Sequence, residues 1–226
     1  MSKKMNDCSF NFPTAGSKLH PELANHRKEY GMRSKAADKH QAILDAAVKV
    51  FARKGFFQSR VSEIAREAGV ADGTIYLYFK NKDDLLISIF AVKMQEIICR
   101  FRDAIALEND AASRLRCLVR MHLAGFQSYP ELAAVFQVEL RQSSRFMREY
   151  NKEELRQYLD LIGEILEQGR KEGVFRQDIS VGLAKRFVFG TLDELVSTWV
   201  LAGMQYDLGS MVDPVLNLLL HGMGRN

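Results

Sequence analysis

The residues able to do chemistry in this chain fall into few patterns. The cysteines are Cys8, Cys99 and Cys117, and the histidines are His20, His26, His40, His122 and His221. Their spacing matches no zinc-ligand arrangement, and three scattered thiols make a poor disulfide framework. No Gly-rich phosphate loop, GxSxG or CxxC occurs. Metal, nucleophilic and redox catalysis therefore lack a residue set, and the chain is read as no enzyme. What remains is charge placed for contact. Arg141, Arg145 and Arg148 follow one another at intervals of four and three, so on one helix they share a face. Guanidinium forks suit phosphate groups. A solvated face pairing with Glu149, Glu153 and Glu154 is the plainer alternative. Asp193 and Glu194 sit together inside an apolar segment, as polar groups of a pocket or as a dimer contact.

A second pattern concerns spacing alone. In the window Val61 to Lys80, Ala65 is fifth, Gly69 ninth and Ile75 fifteenth. A small residue at the fifth place lets two helices approach. Glycine at the ninth makes the turn, and a branched apolar residue at the fifteenth packs one helix on the other. This is the helix-turn-helix spacing, whose second helix protrudes far enough to enter a major groove. An ordinary helical hairpin would show the same pattern, but the local charge favours a polyanion partner. The 226 residues carry a net +4, divided into +7 over residues 1–82 and −3 over residues 83–226. Residues 32–82 alone hold 10 basic and 5 acidic side chains.

The elements that must position these residues read as helices throughout. Apolar residues recur at three and four, as in Ile43, Ala46, Ala47, Val50 and Phe51, and no segment alternates with period two. Gly55, Gly69 and Gly173 stop helices, Tyr129–Pro130 breaks one, and Pro214 sits in the first turn of the last with Asp213 as its N-cap. The expectation is an all-α fold of about nine helices. Residues 1–31 read as a mobile tail, 32–82 as a DNA-binding domain and 83–226 as a ligand-binding and dimerisation domain. Met32 is an alternative start. The amino end carries lysines without an apolar core behind them, so no signal peptide is expected. The apolar stretch from Phe187 to Met204 is interrupted by Asp193 and Glu194 and reads as a buried helix, not a membrane span. A cytoplasmic protein without a metal or cofactor is expected.

The run GFFQSRVSEIAREAGVADGTIYLYFKNKDDLL resembles the DNA-binding domain of the TetR family of transcriptional repressors. The likeness covers about Lys39 to Phe90. It implies a homodimer whose amino-terminal three-helix domain binds double-stranded DNA at a palindromic operator. By the resemblance, Gly73, Thr74 and Tyr76 lie on the exposed face of the recognition helix, for base-edge and thymine-methyl contact. Tyr78 and Lys82 reach phosphates, and Ile75 and Phe79 face inward. One departure is Arg60, at a position where many members carry Thr or Ser as an N-cap. Ser59 or Ser62 is left to substitute in the cap, and Arg60 becomes a candidate DNA contact or a solvated arginine. Ser59 is counted with the DNA-binding candidates.

VELRQSSRFMR (138–148) and FGTLDELVSTWVLAGMQYDL (189–208) are similar to the FadR-type branch of that family, whose members sense long-chain acyl-CoA and control fatty-acid degradation genes. The similarity implies an acyl chain lying among Phe126, Phe136, Leu140, Leu159, Ile162 and Leu166, with the CoA phosphates meeting Arg141, Arg145 and Arg148. Phe187, Leu195, Val196, Trp199, Val200, Leu216, Leu219 and Leu220 are more apolar surface than one small domain needs, and the family places them in a four-helix dimer interface. A repressor sensing another apolar molecule (a drug or signal) and a helical lipid carrier or enzyme are the alternatives.

Overall fold

Helix α1, Lys35–Lys54, buries Ile43, Leu44, Ala47, Val50 and Phe51 on one stripe and exposes the basic residues between them. The structure, a computed structural model, describes residues 35–149 and 153–223. The expected tail and Met32 lie outside these residues. Gly55 stops α1 with φ of +80°, a left-handed conformation that costs glycine little. Helices α2 (Val61–Glu67) and α3 (Asp72–Ile75) meet across Gly69, whose φ is +66°. There Val70 N–H donates to Ala65 O at 3.0 Å, closing the turn. Ala65 and Ile75 are buried, as the spacing requires.

Helix α4, Lys82–Ala106, starts from a reciprocal cap: Asn81 accepts the Asp84 N–H at 2.8 Å, and Asp84 accepts the Lys80 N–H at 2.9 Å. It is 25 residues long and serves both halves of the molecule. The body continues with α5, Ala111–Ser128, capped by Asp110. Next, Pro130–Ala134, Val135–Glu139 and Leu140–Gln142 run on as one rod, α6, with π geometry in the middle stretch. Helices α7 (Ser144–Glu149) and α8 (Glu153–Lys171) follow. Helix α9, Val181–Leu201, is followed by a 3-10 turn, Leu208–Met211, and by α10, Val212–Met223.

The all-helical expectation holds: among the described residues there are ten helices and no strand. One detail is corrected. Asp213 does not cap the last helix but lies inside its first turn and pairs with Arg116 at 2.8 Å. Asp207 caps the preceding 3-10 turn instead, accepting the Gly209 N–H at 3.0 Å.

The core is continuous from headpiece (α1–α3) to body. Leu85, Leu86 and Ile89 on α4 lie buried in one cluster with α1, α2 and α3, while Ile98, Phe101 and Ile105 extend it into the body. Helix α6 also packs against α1, so the two halves meet along two lines and not only through α4.

Candidate functional site

The basic headpiece sorts its residues by which side of α3 they occupy. Ile75 and Phe79 are buried, whereas Gly73, Tyr76 and Leu77 are exposed, Leu77 at 81% of its surface. Thr74 and Tyr78 are half-buried. The His40 ring lies 5.9 Å from that of Tyr78 and 5.0 Å from that of Phe79, fixing the carboxyl end of this segment against α1. Leu77 was not singled out from sequence. Its signal was an apolar residue out of phase with Ile75 and Phe79. Phe57, 66% exposed at the start of the loop before α2, is a second such residue.

The loop before α2 resolves the capping question. Arg60 N–H donates to Glu63 Oε2 at 3.1 Å, so half of a capping box forms without Thr or Ser. An arginine side chain only donates, so it leaves the other half unmade. Lys54 binds the same carboxylate, and these hydrogen bonds, Lys54 first, hold Glu63 below the usual carboxylate range. Ser59 is buried and donates to Gly55 O at 2.6 Å, which directs its hydroxyl away from the surface. Lys82 spreads its ammonium over three carbonyls, Phe56 O (2.6 Å), Ser59 O (3.1 Å) and Phe57 O (3.2 Å), and sits 4.6 Å above the Phe56 ring. Burial pushes its pKa down. Its three donors therefore fasten the loop, while Arg60 and Lys80 stand exposed beside it.

The second site is a cavity in the body, enclosing about 690 Å³ of atom-free space, part of it open to solvent. Phe90, Met94, Ile97 and Phe101 of α4 form one wall. Met121, His122 and Phe126 of α5, Leu132 and Phe136 of α6, Leu155 and Tyr158 of α8 and Phe189 of α9 form the others. The polar lining residues are few. Gln137 Nε2 donates to Asp193 Oδ1 at 2.9 Å, and Arg141 Nη2 donates to Asp193 Oδ2 at 2.7 Å and to Gln137 Oε1 at 2.8 Å. Arg141 is 49% exposed, so this cluster joins the cavity to the surface. Deeper, Tyr158 Oη and His122 Nδ1 are 2.8 Å apart. Burial pushes His122 down to about 4 and Tyr158 well above the usual phenol range.

Among the residues expected to bind a ligand, Phe126 and Phe136 are in the wall. Leu140, Ile162 and Leu166 are buried in the core, and Leu159 is half-buried, all outside that wall. The cavity meets one turn of α8, at Leu155 and Tyr158, whereas Leu159, Ile162 and Leu166 lie further along the helix. Arg148 is exposed on α7, and the Arg145 side chain lies outside what the structure describes. The α4 wall and the pair His122–Tyr158 were not anticipated. Helical periodicity marks Phe101 as apolar-facing but does not distinguish a cavity from a packed core.

The surface of α9 and α10 also divides. Phe187 is 61% exposed, with Leu183 (64%), Leu201 (77%) and Leu218 (75%) exposed as well. Leu195, Val200 and Leu220 are half-buried. Val196, Trp199, Leu216 and Leu219 are buried within their own chain. The Trp199 indole N–H donates to Tyr206 O at 2.8 Å. No group of three metal-binding side chains occurs among the described residues, and no described helix is long and apolar enough to cross a membrane.

Two family models account for nearly all the described chain. Residues 43–89 match the "Bacterial regulatory proteins, tetR family" model, and residues 90–222 match the "YsiA-like protein, C-terminal region" model. The chain belongs to the TetR family. This TetR-family chain is 44% identical to the fatty acid metabolism regulator protein of Bacillus subtilis over 185 residues, 82% of this chain and 95% of that protein. Its structure is similar to that of FadR from B. subtilis in complex with stearoyl-CoA, with a TM-score of 0.77 over 81% of this chain and 98% of the other. FadR from Bacillus halodurans gives a TM-score of 0.76 at 44% identity, over 81% of this chain and 98% of that one. These proteins are regulators, not enzymes.

Proposed function

We propose that this chain is a homodimeric, cytoplasmic repressor of fatty-acid degradation genes that leaves its palindromic operator when a long-chain acyl-CoA occupies the body. The observation that carries this reading is the cavity: a wall mostly of Phe, Met, Leu and Ile, with Gln137 and Asp193 of its lining bound to a half-exposed arginine. An acyl chain suits the apolar part, and a charged head group suits the surface at Arg141. The similarity to a regulator bound to stearoyl-CoA supports the same ligand.

Tyr76, Gly73 and Thr74 present the reading face, with Leu77 available to thymine methyl groups or sugars, and Arg60 and Lys80 meet phosphates. Two such faces related by a two-fold axis suit half-sites about 34–36 Å apart. Phe187 and its exposed apolar neighbours supply the dimer contact.

Coupling follows the rod α6. Its π stretch carries Phe136 and Gln137 to the cavity and Glu139 to the headpiece, where Glu139 Oε2 accepts the Phe56 N–H at 2.5 Å. Ser143, just beyond, donates to Asp83 Oδ1 of α4 at 3.0 Å. A ligand that spreads the cavity wall shifts this rod, and the headpiece moves with it. The shift is no larger than the ligand's difference in affinity between the two arrangements. A mobility-shift assay with palmitoyl-CoA tests the reading: release of the operator is expected, and retention at saturating ligand overturns it.

A further inference from the structure

The body holds one buried side-chain nitrogen that its fold does not satisfy. His122 is 6% exposed and lines the cavity, and its Nε2 is the sole buried side-chain N or O atom without a hydrogen-bond partner among the described residues. Leaving such a group unpaired is costly, so a buried orphan at a cavity wall points to a partner supplied from the cavity. The other ring nitrogen is engaged, at 2.8 Å from Tyr158 Oη, and the ring packs edge to face on Phe126 with centroids 5.1 Å apart.

The chemistry of the ligand chooses between two tautomers. If Nδ1 carries the proton, Nε2 is a bare acceptor and needs a donor. If Tyr158 O–H donates to Nδ1, Nε2–H is a donor and needs an acceptor. A saturated acyl chain offers neither. Its thioester offers an acceptor, the carbonyl oxygen, and no donor.

We propose, on the acyl-CoA reading of the cavity, that His122 Nε2–H donates a hydrogen bond to the thioester carbonyl, with Tyr158 O–H donating to Nδ1 behind it. The relay fixes how deep the chain sits: methylenes lie among the phenylalanines, and the carbonyl stops at His122. It also selects the chemical class. Burial keeps the imidazole neutral, and the Asp193 carboxylate lines the same cavity. A neutral acyl carbonyl is accepted there, whereas the carboxylate of a free fatty acid meets the like charge of Asp193, with the Arg141 guanidinium already paired to Asp193 and Gln137.

The probes are palmitoyl-CoA and S-hexadecyl-CoA, a thioether that keeps the CoA and the chain but replaces C=O by CH2. The wild-type protein is expected to bind the thioester about tenfold more tightly, the size of one buried hydrogen bond. His122→Leu is expected to abolish the roughly tenfold preference, so that thioester and thioether bind alike. In the wild-type protein, 15N spectra of the histidine rings should show palmitoyl-CoA, but not the thioether, fixing His122 as the Nε2–H tautomer. That readout stands even if the variant folds poorly. Equal wild-type affinity for the two probes sinks the assignment of His122 and leaves the acyl-CoA reading intact. Failure of both to bind sinks the two together.

Discussion

The carboxylate of Glu139 accepts the backbone N–H of Phe56 at 2.5 Å, across 83 positions of sequence. Phe56 C=O is held in turn by Lys82 Nζ at 2.6 Å. One residue of the headpiece loop is thus gripped by the body at its N–H and by the bridging helix at its C=O. Phe136 and Gln137, three and two residues before Glu139 on the same rod, line the cavity.

Removing that grip should uncouple the two sites. Glu139→Ala leaves the buried Phe56 N–H without an acceptor and should cost about 1.5–3 kcal/mol of stability, measured by urea unfolding. Palmitoyl-CoA affinity should stay within about twofold, because Glu139 is not in the wall, while the ligand-induced loss of operator affinity should shrink about tenfold. Undiminished release by the variant would exclude this contact from the coupling.

Lys82→Ala should weaken operator binding by loosening the loop at Phe56 to Ser59, with little change in salt dependence, since its ammonium faces carbonyls. Lys80→Ala and Arg60→Ala should each lower the log–log salt slope by about 0.9, the signature of one lost phosphate contact. Operator titrations at several salt concentrations separate the two behaviours.

Acid should destabilise the body through His122. Its pKa is about 4 in the fold against the ordinary 6.5, with Tyr158 and Asp193 as the titratable groups beside it and Arg141 paired to Asp193. The unfolded chain takes up the proton first, so this contribution is full above the ordinary value and is lost as pH falls through 6.5 towards 4. Unfolding free energy should fall by about 2 kcal/mol between pH ~7 and ~5 from this residue. His122→Leu should remove that part of the slope.

Arg141→Ala should reduce palmitoyl-CoA affinity about fivefold, a half-exposed charge contact being screened by water. Operator affinity without ligand should not change. Isothermal titration and a mobility shift measure the two quantities; a normal ligand affinity would remove Arg141 from the site.

Phe187→Glu places a charge on the exposed apolar face of α9 and should give monomers in sedimentation, with operator affinity lower by about 100-fold or more once the two headpieces are no longer linked. Val196→Ala, at a position buried in its own chain, should instead lower thermal stability and leave the protein dimeric.

Local patterns in the sequence determined the helices, their glycine stops and the inward face of Ile75, because each depends on neighbours within a turn or two. The resemblance of about Lys39 to Phe90 and of the later segments led to the family for the same reason: those residues specify a local shape. Tertiary structure decided the rest. Leu159, Ile162 and Leu166 share a stripe with residues that do line a cavity, and only the placement of α4, α5 and α8 shows which turn of α8 meets open space. Lys82 has the charge of a phosphate contact, but the folded loop directs carbonyls at it. His122 looked like any histidine on an apolar helix. Its significance lies in a partner on Nδ1 and none on Nε2, a distinction that exists only once α5 and α8 are packed together.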